Sequence, residues 1–157
     1  MAYLELPPKV RHIVQVGDRH TGSRLSACPD SMVDDDGAGH FPRGILIALN
    51  SVWHAFWDLW VPSIIGNERF AILDMGDVID GDHHEATELF SANVQDQRKW
   101  SVEMMAPHRK RAECLMQIRG TDAHDGPSGS DCENVAESLK AVAVDGNRSH
   151  REMWIDW

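Results

Sequence analysis

The sequence predicts an α/β domain, a mainly parallel sheet flanked by helices, and three observations predict it. Three short apolar runs, Val10–Val16, Arg69–Asp74 and Cys114–Ile118, each lead into a glycine: Gly17, Gly76 and Gly120. Segments of helical periodicity follow them. The resulting β-α-β-α-β-α order favours parallel pairing through right-handed crossovers.

The elements follow in chain order. Ile13, Val14 and Val16 make the first run a buried, β-branched strand. Residues 21–43 hold Gly22, Pro29, Gly37, Gly39 and Pro42 around the acidic run Asp34, Asp35 and Asp36, which reads as a solvated loop. Over residues 44–60, Ile45, Leu49, Val52, Trp53, Phe56 and Trp60 recur at helical spacing. This predicts an amphipathic helix closed by Pro62, with Trp53, Trp57 and Trp60 packed in the core. Phe70, Ile72 and Leu73 form the second strand, and a polar helix spans residues 85–106, stopped near Pro107. After the third strand, a capped helix starts at Ser130 or Asp131 and runs to Ala143, with Val135, Leu139 and Val142 on one face.

A chain of 157 residues and 17.6 kDa is sized for one domain, residues 1–157. With 42% hydrophobic and 25% charged residues it is not a disordered composition. It contains no apolar run of about 18 residues, so a membrane partner is not expected. The N-terminus lacks the basic-then-apolar pattern of a secretory signal, which makes the cytoplasm the expected compartment. Cys28, Cys114 and Cys132 are too widely spaced for a zinc ribbon or a disulfide framework. A formal net charge of −10 offers no basic surface to a phosphate backbone, so nucleic acid is a conceivable partner that the charge does not support.

Nine histidines and 16 aspartates are the unusual part of this composition. Ligands of parallel sheets gather outside the carboxyl ends of the strands, where loops converge. The first strand is followed by Gly17-Asp18-Arg19-His20, the second by Gly76-Asp77-Val78-Ile79-Asp80-Gly81-Asp82-His83-His84, and the third by Gly120-Thr121-Asp122-Ala123-His124-Asp125-Gly126. Each end carries Asp and His. On an extended segment, Asp18 and His20 leave the same face and can grip one ion. Asp77 on the neighbouring strand end can bridge that ion to a second. Mixed oxygen and imidazole ligation suits Mn, Fe, Zn or Ni better than Ca, and a pair of such ions about 4 Å apart can activate water for attack on a phosphoryl group.

The motifs GDRH, GDVIDG and GTDAHD resemble the first three blocks of the calcineurin-like metallophosphoesterases, DxH, GDxx(D/N) and GNH(D/E), and look closest to the phage and prophage branch. The resemblance implies that this chain is the N-terminal part of an αββα sandwich. It also implies a phosphoester substrate, hydrolysed as a monoester or diester by a hydroxide that two divalent metal ions activate. By position, Asp18 and His20 would bind the first ion and Asp77 would bridge both. His124 would assist the leaving group, held in orientation by Asp125. The asparagine of the family's third block is replaced: Thr121 stands in its place counting from Gly120, with Asp122 beside it, and both are candidate ligands. His83 and His84 are candidate contacts for the substrate phosphate, and Asp80 is expected to order its own loop.

The family's later GHxH block has no counterpart before Trp157, which sets the expectation of a C-terminally truncated domain. Met153 to Trp157 is then the expected start of a second sheet. The alternative function is a non-catalytic fragment of the same fold that serves as a binding or scaffold module. A metal-independent Ser/His/Asp hydrolase is disfavoured because the sequence has no GxSxG elbow.

Overall fold

A computed structural model describes residues 2–82 and 88–156. Strand β1 (Ala2–Glu5) leads through a turn, closed by the Val10 N–H on the Pro7 carbonyl at 2.9 Å, into β2 (Val10–Val16). A small antiparallel hairpin, β3 (Met32–Val33) and β4 (Gly39–His40), follows. Next comes a helical run of α1 (Ile45–Ala55), a π-helical stretch (Phe56–Trp60) and α2 (Val61–Ile65). Strand β5 (Arg69–Asp74), α3 (Val94–Arg111) and β6 (Cys114–Ile118) continue the chain. The short α4 (Asp122–Asp125), a 3-10 turn (Pro127–Gly129), α5 (Ser130–Ser138), β7 (Ser149–His150) and β8 (Met153–Asp156) complete it.

The predicted strands take their predicted bounds and form a parallel sheet in the order β2-β5-β6-β7. Alternation along each strand gives the sheet two apolar faces. Val14, Ile72 and Leu115 are register partners across one face, where they pack with Trp57, Met105 and Val135 of the helices. Their neighbours Ile13, Ala71 and Cys114 form a row on the opposite face. There a second core joins Ala71, Cys114 and Met116 to Leu4, Met153 and Ile155. These last three come from β1 and β8, which pair in parallel with Ala2 opposite Met153 as a separate two-stranded sheet. The layers are therefore helices, main sheet and small sheet, with Met153–Asp156 paired to β1.

Both prolines lie inside helical structure instead of ending it. The Val61 N–H donates to Phe56, five residues back. Pro62, which has no N–H to give, falls where this wider register returns to α-helix, and the run closes at Gly66. Pro107 is held within α3 by the packing beyond it: His108 stacks on Trp57 at 4.2 Å between ring centres, and Arg111 donates to the Trp57 carbonyl. Helix α3 starts later than predicted, at Val94, because Asn93 caps it by accepting from the Gln95 N–H. Helix α5 ends earlier than predicted. Lys140 adopts a positive φ and the Ala141 N–H closes back on Ala136, which releases Val142 to the opposite core.

Two further expectations are corrected. Trp57 is buried and Trp53 half-buried, but Trp60 is 56% exposed, stacked on Phe56 at 5.3 Å. The Asp34 to Asp36 run is not merely solvated: Asp34 accepts from the Ala38 N–H and pairs with His40 at 2.9 Å, and Asp35 accepts from Asn93. The three cysteines are buried and reduced. Among the described residues no helix is long and apolar enough to cross a membrane.

Candidate functional site

The three Asp/His segments meet at the carboxyl edge of the main sheet because the chain keeps pairing after its strands end. The Asp18 N–H donates to Gly76, His20 to Asp77, Thr21 to Val78, and Asp80 back to Thr21. Residues 18–21 and 76–80 therefore run side by side as a continuation of β2 and β5. The third segment closes against them at Gly76 and Gly120. A Cβ on Gly76 would lie 2.2 Å from the Gly120 nitrogen, and one on Gly120 would lie 2.1 Å from Asp77 Oδ1. Glycine is required here for backbone to touch backbone.

Asp18, His20 and Asp77 all have positive φ, at 51°, 43° and 48°. The first strand end is thus not extended, and the two-residue alternation expected for Asp18 and His20 does not apply. Left-handed backbone turns their side chains toward Asp77 instead, and one ligand atom from each of the three lies within 4.8 Å of the others. A conformation of this kind costs non-glycine residues of order 1 kcal/mol or more each, and such residues cluster at functional sites.

His20 also belongs to a second group, with Asp80 and His124, gathered within the same 4.8 Å limit. Its Nδ1 lies 3.3 Å from Asp80 Oδ1, and the rings of His20 and His124 meet edge to face at 4.3 Å. His124 directs its Nδ1 onto the Asp80 carbonyl at 2.6 Å, with the Asp80 carboxylate 3.9 Å away. Asp80, expected only to order its own loop, thus stands between both histidines.

Asp125 does different work from that expected. Its carboxylate is wholly buried and accepts the backbone N–H of Val78 at 3.0 Å, of Asp77 at 3.3 Å and of Gly120. It ties the second and third segments together, while the orientation of His124 comes from Asp80. Burial pushes the Asp125 carboxyl above its usual range, against the three N–H donors that favour the charged form.

Thr121 and Asp122 part company. The Thr121 N–H and hydroxyl both donate to Asp77 Oδ1, at 2.7 and 3.1 Å. Asp122 lies in solvent, paired with Arg151 at 3.2 Å, because it opens α4 on the outer side. His83 and His84 lie outside the described residues.

Two residues that the sequence reading passed over hold the site from beneath. Arg19, between Asp18 and His20, points into the protein and donates to Asp74 Oδ2 at 2.6 Å and to Ser101 Oγ at 2.7 Å. Gln97 is fully buried and grips Gly81 in both directions, accepting from its N–H and donating to its carbonyl. A cation alternating with two candidate ligands was the available signal for Arg19. For Gln97 there was none, because its partner is backbone.

The chain matches no protein-family model, no curated protein and no solved structure.

Asp18, His20 and Asp77 form a donor set of two carboxylates and an imidazole, of the kind that holds a divalent transition ion. The fit extends to the His20 ring, whose buried Nδ1 has the Asp80 carboxylate 3.3 Å away. A ring held by a nearby carboxylate on one nitrogen while the other faces a cation is a recurrent metal-site arrangement. Asp18 and His20, with Asp80 and His124, line a cavity of about 510 Å³.

Proposed function

We propose that this chain is a metal-dependent phosphoesterase of the calcineurin-like kind, acting on phosphomonoesters or phosphodiesters. The observation that carries the reading is the convergence of Asp18, His20 and Asp77, from two different strand ends, on one point beside His124. The motif resemblance of GDRH, GDVIDG and GTDAHD supports it independently. A transition-metal ion such as Mn, Fe, Zn or Ni bound there supplies Lewis-acid chemistry for activating water and neutralising phosphoryl charge.

The rest of the work belongs to the protein. Thr121 fixes the Asp77 carboxylate through two donors, so Asp77 needs little reorganisation to serve as a ligand. His124, with Nδ1 committed to the Asp80 carbonyl, exchanges its proton at Nε2 and delivers it to the departing oxygen. Arg19 and Asp125 hold the two loops in register from below, one through Asp74 and the other through backbone N–H groups. The reading includes a second ion sharing Asp77.

One observation favours the alternative of a non-catalytic binding module: Thr121 spends its hydroxyl on Asp77 and Asp122 spends its carboxylate on Arg151, which leaves the second ion poorly supplied. The deciding experiment is hydrolysis of bis(p-nitrophenyl) phosphate and p-nitrophenyl phosphate by purified protein with added Mn²⁺, with bound metal counted by elemental analysis. Turnover that Asp77→Asn abolishes is the expected result. Turnover unaffected by that change overturns the assignment, and one ion per chain without turnover establishes the module.

A further inference from the structure

We propose that the cavity beside the metal cluster receives the leaving group of the phosphoester, and that this group is a flat, uncharged aromatic carried on an alcohol. The proposal rests on the phosphoesterase reading for the bond that is cleaved, and on the cavity for what is held. Its about 510 Å³ lie in the usual range for a small-molecule site. One wall carries His20 and His124; the other is formed by Leu25, Leu49, Trp53 and Met104.

The apolar wall is built to stay in place. Trp53 is wedged edge-on against Trp57 at 5.9 Å and His108 at 5.6 Å, so its indole is anchored by rings behind it while its own surface is only half-buried. Met104 is buried beneath, and Leu25 stands 62% exposed at the opening, apolar surface that a bound ring would cover. An aromatic group entering this space gains contact with Trp53 and removes Leu25 from water.

Charge defines what the cavity refuses. Arg19 is the only cation among its described lining residues, and that guanidinium is committed to Asp74 and Ser101. The described lining therefore offers no free Arg or Lys to a second phosphate or carboxylate on the leaving group. In the reaction, the oxygen of water forms the new bond to phosphorus, keeping one proton and releasing the other to solvent, the bond from phosphorus to the aryl-alkyl oxygen breaks, and that oxygen leaves with the proton from His124, which solvent then restores.

The test has two arms. In the first, 2-(2-naphthyl)ethanol is titrated into metal-free protein by calorimetry. In the second, kcat/KM with Mn²⁺ is compared for 2-(2-naphthyl)ethyl phosphate and ethyl phosphate, whose leaving groups are both simple alkoxides, so the ratio reports recognition. We expect the alcohol to bind and the naphthyl ester to be preferred by about tenfold or more. Leu25→Ser, at an exposed position that folding tolerates, lowers both binding and preference by about threefold or more, and Trp53→Ala by more still. Where esters are hydrolysed, the ratio decides: a ratio near one overturns the proposal and leaves the phosphoesterase reading standing. Where neither ester is hydrolysed, binding decides: a bound alcohol sustains the aromatic site while the phosphoesterase reading falls, and an unbound one overturns both.

Discussion

Arg19 and Asp74 form an ion pair, 2.6 Å from Nη2 to Oδ2, sealed from solvent directly beneath the candidate site. It joins the residue between two metal-ligand candidates to the last residue of β5, and Ser101 extends it to α3. Charges this deeply enclosed are tolerated only because each satisfies the other.

Arg19→Met should therefore destabilise the protein by about 3–5 kcal/mol, since it strands the Asp74 carboxylate in the core. The double variant Arg19→Met/Asp74→Asn should recover a substantial part of that loss. Urea denaturation of the four proteins in the cycle measures both quantities, and equal stability of the single and double variants would contradict the pairing.

Removing the imidazole of His20 should weaken metal binding more than removing either neighbouring carboxylate alone, because His20 belongs to both three-residue groups. Asp122→Ala should leave Mn²⁺ affinity unchanged, since Asp122 faces Arg151 in solvent. Calorimetric Mn²⁺ titration of His20→Ala, Asp18→Asn, Asp80→Asn and Asp122→Ala gives the ranking. A loss of affinity in the Asp122 variant would show that α4 is placed differently.

Gly76→Ala should cost more than about 2 kcal/mol and abolish metal binding with it. The new methyl would meet the Gly120 backbone nitrogen at 2.2 Å, and a φ of +93° is itself unfavourable for alanine. By contrast Gly37→Ala, also at positive φ but with nothing within 4 Å, should show only the smaller conformational penalty. Thermal unfolding of the two variants separates steric contact from backbone preference.

The strands were legible because each is a short, local apolar run closed by a glycine, as Ile13, Val14 and Val16 are before Gly17. The ligand candidates were legible for a related reason: glycine followed by Asp or His at a strand end states both a turn and a chemistry. What escaped depends on partners far along the chain. Pro62 and Pro107 read as stops, since nothing local shows a π-helical register change or the stacking of His108 on Trp57. Asp125 read as a partner of the adjacent His124, when its oxygens go to backbone N–H groups that carry no sequence label. Asp80 was undervalued because its two histidines arrive from β2 and β6.

Stability should fall in mild acid through His108. Burial against Trp57, aided by Arg111 and opposed by Asp58, holds its imidazole down at about 4. In the unfolded chain the ring takes up a proton near its ordinary value, so acid favours unfolding from about pH 6.5 downward and this contribution is exhausted below about pH 4. The loss between pH 7 and pH 4.5 should be about 2 kcal/mol greater in the parent than in His108→Phe, which keeps a ring on Trp57 and cannot titrate. Urea midpoints at the two pH values provide the comparison, and identical acid sensitivity would exclude His108 as the cause.

The pairing of β1 with β8 sets a timetable for synthesis. Ala2 precedes the whole main sheet along the chain, yet its register partner Met153 follows all of that sheet's strands. Until then the row of Ala71, Cys114 and Met116 lacks the cover that Met153 and Ile155 supply. A nascent chain carries that completed apolar strip without its β8 cover while the residues between Met116 and Met153 are made, a few seconds at rates of about 5–20 residues per second. Chaperone capture during those seconds, and aggregation when ribosomes stall before residue 153, follow from where the two strands sit.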